Sequence, residues 1–137
     1  MLKESVMTNR RTLIIAVSAL LPGMALAHLP PGTRGPNGGQ MQDIGPYHAE
    51  LLARDGELSL FLFDSNDRPL SAAQASGQAI ILAEGRQQTL PLAPRADGAA
   101  LVATGDFRAV PALRVVVQLV PAPGMPRAQA RFTPIAP

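Results

Sequence analysis

Two histidines carry most of the chemistry this chain can offer. His28 and His48 are its only imidazoles, and it has no cysteine. Thiolate nucleophiles, thiolate metal sites and disulfide staples are therefore excluded. Three further candidate donors, Met41, Asp43 and Glu50, lie in the run GPNGGQMQDIGPYHAELL from Gly35 to Leu52, which also holds His48. Imidazole nitrogens with carboxylate oxygens suit Cu(II) or Zn(II), whereas a thioether favours Cu(I). Copper stands first because it heads the divalent affinity order.

His28 acquires a second donor if the chain is cut just before it. Lys3, Arg10 and Arg11 form a positive n-region, and Thr12 to Leu21 (TLIIAVSALL) is a short apolar run. Pro22-Gly23 breaks that run, and Ala25-Leu26-Ala27 is a small-x-small cleavage site. Residues 1–27 therefore read as a cleaved signal peptide that delivers the mature chain to the periplasm without stable membrane insertion. The rival is an uncleaved anchor, but the run falls short of the roughly 20 residues a span needs. After cleavage, His28 would offer its α-amine and its imidazole. With His48 these make a three-nitrogen, T-shaped set matched to the tetragonal preference of Cu(II). Glu50 or Asp43 would then be an axial ligand or would orient an imidazole from behind.

Each residue also has a plainer reading. His28 is merely the first residue after a cut. His48 is a solvent-facing strand residue, Met41 a core filler and Asp43 a turn or surface acid. Gly38-Gly39 serves backbone shape, since it precedes a strand and not the helix a phosphate loop requires.

The elements that must position these residues are short and extended. Residues 28–39, with three Pro and four Gly, read as a flexible, irregular arm. From Gln40 onward, apolar segments alternate with turns. Tyr47 to Ala53 has period two, with Tyr47, Ala49, Leu51 and Ala53 on one face and His48, Glu50 and Leu52 on the other. Arg54-Asp55-Gly56 is a hairpin turn, and Glu57 to Phe63 is a strand with Leu58, Leu60 and Leu62 inward. Asp64 to Pro69 is a polar turn. Further strands fall at 78–84, 87–93, 100–104, 113–120 and 127–133. Pro91 lacks an amide proton and belongs at a sheet edge or bulge. If Gly45-Pro46 turns tightly, the segment with Met41 and Asp43 runs beside His48. About eight short strands in a chain of this length predict an all-β, immunoglobulin-like antiparallel β-sandwich over residues 40–137.

Residues 28–137 carry nine Arg, no Lys and nine acidic residues. They therefore lack the basic footprint of a nucleic-acid binder. Catalysis is poorly supported too. The chain has no Gly-x-Ser-x-Gly elbow and no serine placed to complete a triad with His48.

The run from Gly35 to Leu52 resembles a segment of small periplasmic proteins of bacterial heavy-metal resistance. There a Gly-Pro-x-Gly-Gly turn leads to a Gly-x-Tyr/Phe-His-x-Glu-Leu strand. It is also similar to a segment near the N-terminus of some adaptor subunits of metal-efflux pumps. His48 and Glu50 match the polar strand positions, and Asn37 falls where related segments can carry another histidine. A looser likeness, through His28 alone, is to the periplasmic copper-resistance protein C family, β-sandwiches that bind Cu(II) through the mature N-terminal histidine. These resemblances imply a copper-binding protein that sequesters or delivers the ion, with an efflux component as partner. The alternative is a metal-free structural or interaction domain that docks through edge strands or its Pro-rich segments at 121–126 and 134–137.

Overall fold

The computed structural model describes residues 28–30 and 32–134. The leader and cleavage site expected at 1–27 fall outside these residues, as does most of the Pro-rich C-terminal segment. Nine strands follow in chain order: β1 (Gln40–Ile44), β2 (Tyr47–Arg54), β3 (Glu57–Phe63), β4 (Pro69–Leu70), β5 (Ser76–Ala83), β6 (Arg86–Pro94), β7 (Leu101–Thr104), β8 (Arg114–Val120) and β9 (Ala128–Phe132). Every pairing is antiparallel.

Turn chemistry fixes the hairpins. Ile44 faces Tyr47, which leaves Gly45-Pro46 as a two-residue loop with Gly45 at φ +56°. Such tight loops put glycine first because an L side chain resists that backbone region. The β2–β3 hairpin closes at Asp55-Gly56 and the β5–β6 hairpin at Glu84-Gly85. Both residues of the latter have positive φ, as a type I′ turn requires.

The strands run in the spatial order β1-β2-β3-β7-β6-β5-β8-β9, with β4 attached to β3. Take β2, β3, β5, β6, β7, β8 and β9 as strands A to G. The order then becomes ABE followed by DCFG, an immunoglobulin-like sandwich, with β1 as an extra edge strand. Strand β6 joins the two halves. It pairs with β5 from Arg86 to Leu92 and with β7 only through Ala93 and Pro94. Pro91 therefore pairs on one side only, where its missing amide proton costs no ladder bond. At the opposite seam, the Gln40 side chain accepts the Thr133 N–H at 2.7 Å. That contact brings β1 towards β9 and makes the sandwich nearly a barrel.

The core lies between the halves, where period-two alternation sends every second side chain inward. Ala49, Leu51, Leu58, Leu60 and Leu101 from one half meet Ile81, Val115, Val117, Leu119 and Phe132 from the other. With no Trp available, leucine is the commonest residue in this core.

Candidate metal site

The outward face of β1–β3 carries the chemistry. Met41 and Asp43 project from β1, His48 and Glu50 from β2, and Phe63 from β3; the register sets Met41 opposite Glu50, Asp43 opposite His48, and His48 opposite Phe63. Such a face would ordinarily be wet. Here it is dry: Met41, His48, Glu50 and Phe63 are each at most 5% exposed.

Residues 28–39 provide the cover. The segment expected to be a flexible, irregular arm is irregular, and its described residues make several backbone ties. Arg34 bridges to Gln40, and the Met41 N–H donates to the Thr33 carbonyl at 2.8 Å. The Gly35 N–H donates to the Gly39 carbonyl at 2.9 Å, which closes the glycine turn. The run from Gly35 to Gly39 forms a tight turn against the sheet, and close packing leaves no space for a side chain at Gly35 or Gly39.

His48 is held on both sides. Its Nδ1 lies 2.6 Å from Asp67 Oδ1 and its Nε2 lies 3.2 Å from Asp43 Oδ1. The other Asp43 oxygen, Oδ2, lies 3.2 Å from Nδ1 of His28, a mostly exposed ring. One carboxylate thus stands between the two imidazoles. The small cleft they share is lined by His28, Asp43, Gly45, Pro46, Tyr47, His48 and Ser65 and encloses about 60 Å³. That volume suits an ion with a water or two and is far below the ~300 Å³ where small-molecule pockets begin.

Asp67 escaped the sequence reading, which saw only a polar turn from Asp64 to Pro69. The signal was in the register: Phe63 faces His48, so the turn that follows Phe63 must hang over the histidine. The turn is prefolded. Asp64 Oδ1 accepts the N–H groups of Asn66 and Arg68 at 2.8 and 3.0 Å. The Asp67 N–H donates to the Asp64 carbonyl at 3.0 Å. Asp67 itself sits at φ +61°, a conformation that aspartate tolerates better than most residues.

A neutral imidazole has one N–H and one lone pair. If Nδ1–H donates to Asp67, the Nε2 lone pair is directed at the cleft and at Asp43. A histidine that binds a metal through one nitrogen usually donates its other N–H to a carboxylate, and Asp67 is placed for that role. His28 Nδ1, Asp43 and His48 Nε2 are then the groups able to hold a divalent cation. Among the described residues, however, no three His, Cys, Asp or Glu side chains already stand as a formed metal site. The imidazoles and carboxylates are engaged with one another, and Asp43 would have to exchange those contacts for a cation.

The other two candidates lie elsewhere. Glu50 is fully buried, and both its carboxylate oxygens accept the Asn37 N–H at 3.0 Å. Met41 lines a separate groove beneath the N-terminal segment, with Leu29, Phe63 and Asp67. Neither lines the histidine cleft. No family model, curated protein or solved structure matches the chain.

Proposed function

We propose that this chain is an exported, periplasmic metal-binding protein that takes up Cu(II), or another divalent transition metal, for sequestration or delivery to an efflux component. One observation carries the proposal: Asp43 lies within 3.2 Å of both His28 and His48, while Asp67 secures the far nitrogen of His48. A histidine buried for structure alone needs one partner and no route to solvent. This one faces an open cleft beside a second, exposed imidazole. Cleavage after Ala27 would add the His28 α-amine to the donor set. The His48 Nε2 faces the Asp43 carboxylate at 3.2 Å, an arrangement suited to holding a cation.

The test is a Cu(II) titration of the chain beginning at His28, read by its visible d–d absorption. Saturation at one equivalent, weakened at least tenfold in His48→Ala and in Asp43→Asn, supports the assignment. Absence of micromolar binding, or binding unchanged in His48→Ala, rejects it. The second reading, a metal-free interaction domain, draws on the mutual engagement of the imidazoles and carboxylates. It requires that excess Cu(II) leave the melting temperature unmoved, whereas a ligand at 100 times its Kd stabilises by about 2.7 kcal/mol.

A further inference from the structure

We infer that Glu50 is a buried anchor that docks residues 28–39 onto the sheet and so positions His28; it is a positioning residue, not a ligand. The inference deepens the metal-binding proposal and rests on it for the role of His28. Glu50 has no exposed surface, and its two oxygens converge on the single N–H of Asn37. A carboxylate bound to a cation needs an oxygen turned towards the cation, and both oxygens here are turned towards the glycine loop.

The loop is shaped around that carboxylate. A Cβ on Gly35 would overlap the Glu50 carboxyl group, and a Cβ on Gly39 would overlap the Leu51 carbonyl. Gly38, at φ +83°, lets the chain double back, and the Gly38 N–H donates to the Gly35 carbonyl at 3.0 Å. The paired glycines of this run are thus explained by the approach of backbone to a buried acid.

From the anchor the segment runs back along the face in steps. Asn37 is held by Glu50, Thr33 accepts the N–H of Met41, and the Thr33 hydroxyl donates to the Pro30 carbonyl at 2.6 Å. His28 then reaches Asp43. Each tie restricts where the next residue can lie, so the anchor raises the local concentration of the His28 donors at His48. Releasing a tether of this kind lowers joint binding without removing a ligand.

The experiment compares Glu50→Leu, which keeps the volume and removes the acceptor, with Glu50→Gln, which keeps one acceptor oxygen. Amide hydrogen exchange and imidazole NMR are recorded on the metal-free protein. In Glu50→Leu, the Asn37 and Met41 amides should lose protection at least tenfold, while Leu51 and Leu60 stay protected and report an intact sheet. The His28 ring resonances should move towards those of a free histidine, and Glu50→Gln should restore most of both effects. With Cu(II), Glu50→Leu should bind roughly tenfold more weakly with the wild-type spectrum, because the donors are unchanged. Unchanged Asn37 protection in Glu50→Leu overturns the anchor. A copper spectrum altered as by loss of a ligand overturns the positioning role. If wild-type protein binds no copper, the metal reading fails, but the exchange data still decide the anchor.

Discussion

Asp67 offers the sharpest test of the site, because substitutions separate the contribution of its backbone from that of its side chain. Asp67→Ala removes the carboxylate 2.6 Å from His48 Nδ1 and leaves alanine in a left-handed conformation. The backbone term costs about 1–2 kcal/mol for a residue with a Cβ and no compensating polar group. The hydrogen-bond term belongs to the range of ~1–3 kcal/mol for a buried group left unsatisfied. Its lower end applies, since the Asp67 side chain is 59% exposed and water can reach the orphaned nitrogen. The sum is about 2 kcal/mol, or a fall in melting temperature of roughly 8 °C or more for a domain of this size. Asp67→Gly relieves the backbone and loses only the hydrogen bond, so it should cost about 1 kcal/mol. Asp67→Asn tolerates the left-handed backbone and keeps an acceptor, so it should be the mildest of the three. Urea denaturation should give the order Ala, Gly, Asn from most to least damaging. Copper titration of the same proteins should show roughly 10- to 100-fold weaker binding for Ala and Gly, as for loss of an orienting carboxylate. An Asp67→Ala protein as stable as wild type would refute the hydrogen-bond argument. Undiminished copper affinity in all three would refute the orienting role, provided His48→Ala abolishes binding.

Two further outcomes follow from the body of the sandwich. Leu60→Ala, at a fully buried position on β3 facing the core, should cost about 2–5 kcal/mol by cavity formation, measured by urea denaturation. Asp97 is held down to about 2 by hydrogen bonds from the Arg95 guanidinium and the Ala99 N–H. Because its folded value is depressed, any stability it contributes is present above the unfolded value and is lost as pH falls towards 2. Carboxyl NMR titration should find that midpoint in wild type and a higher one in Arg95→Ala.

The inward-facing half of this protein was legible because it obeys one rule. Ala49, Leu51 and Ala53, and then Leu58, Leu60 and Leu62, alternate with polar or larger residues. The strand expected over 57–63 is found there, and the Tyr47 strand ends within a residue of its expected limit. The outward face was not legible, for the same reason. Period two assigns His48 and Glu50 to the side away from the core, where the default neighbour is water. Nothing in the spacing says that a Gly- and Pro-rich segment will lie across that side and bury both. Asp43 was placed beside His48 by the Gly45-Pro46 turn, and the register confirms that geometry. Asp67 was invisible because its contact depends on the cross-strand pair His48 and Phe63, which a one-dimensional reading does not contain.

The resulting molecule has two dry layers of unequal kind. Between the sheets, burial is apolar and continuous, and Met41 and Phe63 do not belong to it. Beneath the N-terminal segment, those two side chains share a thin layer with a buried imidazole and a buried carboxylate. Polar groups of that kind, left without partners, would cost more than the small apolar area there returns. Each has a partner: Glu50 a backbone N–H, and His48 the Asp67 carboxylate. An economical cover for Met41 and Phe63 alone would be apolar, without polar groups that need partners. This layer instead keeps a histidine with one edge on a cleft and a second histidine at the cleft's rim. On the proposed reading, that arrangement serves a ligand that needs both rings.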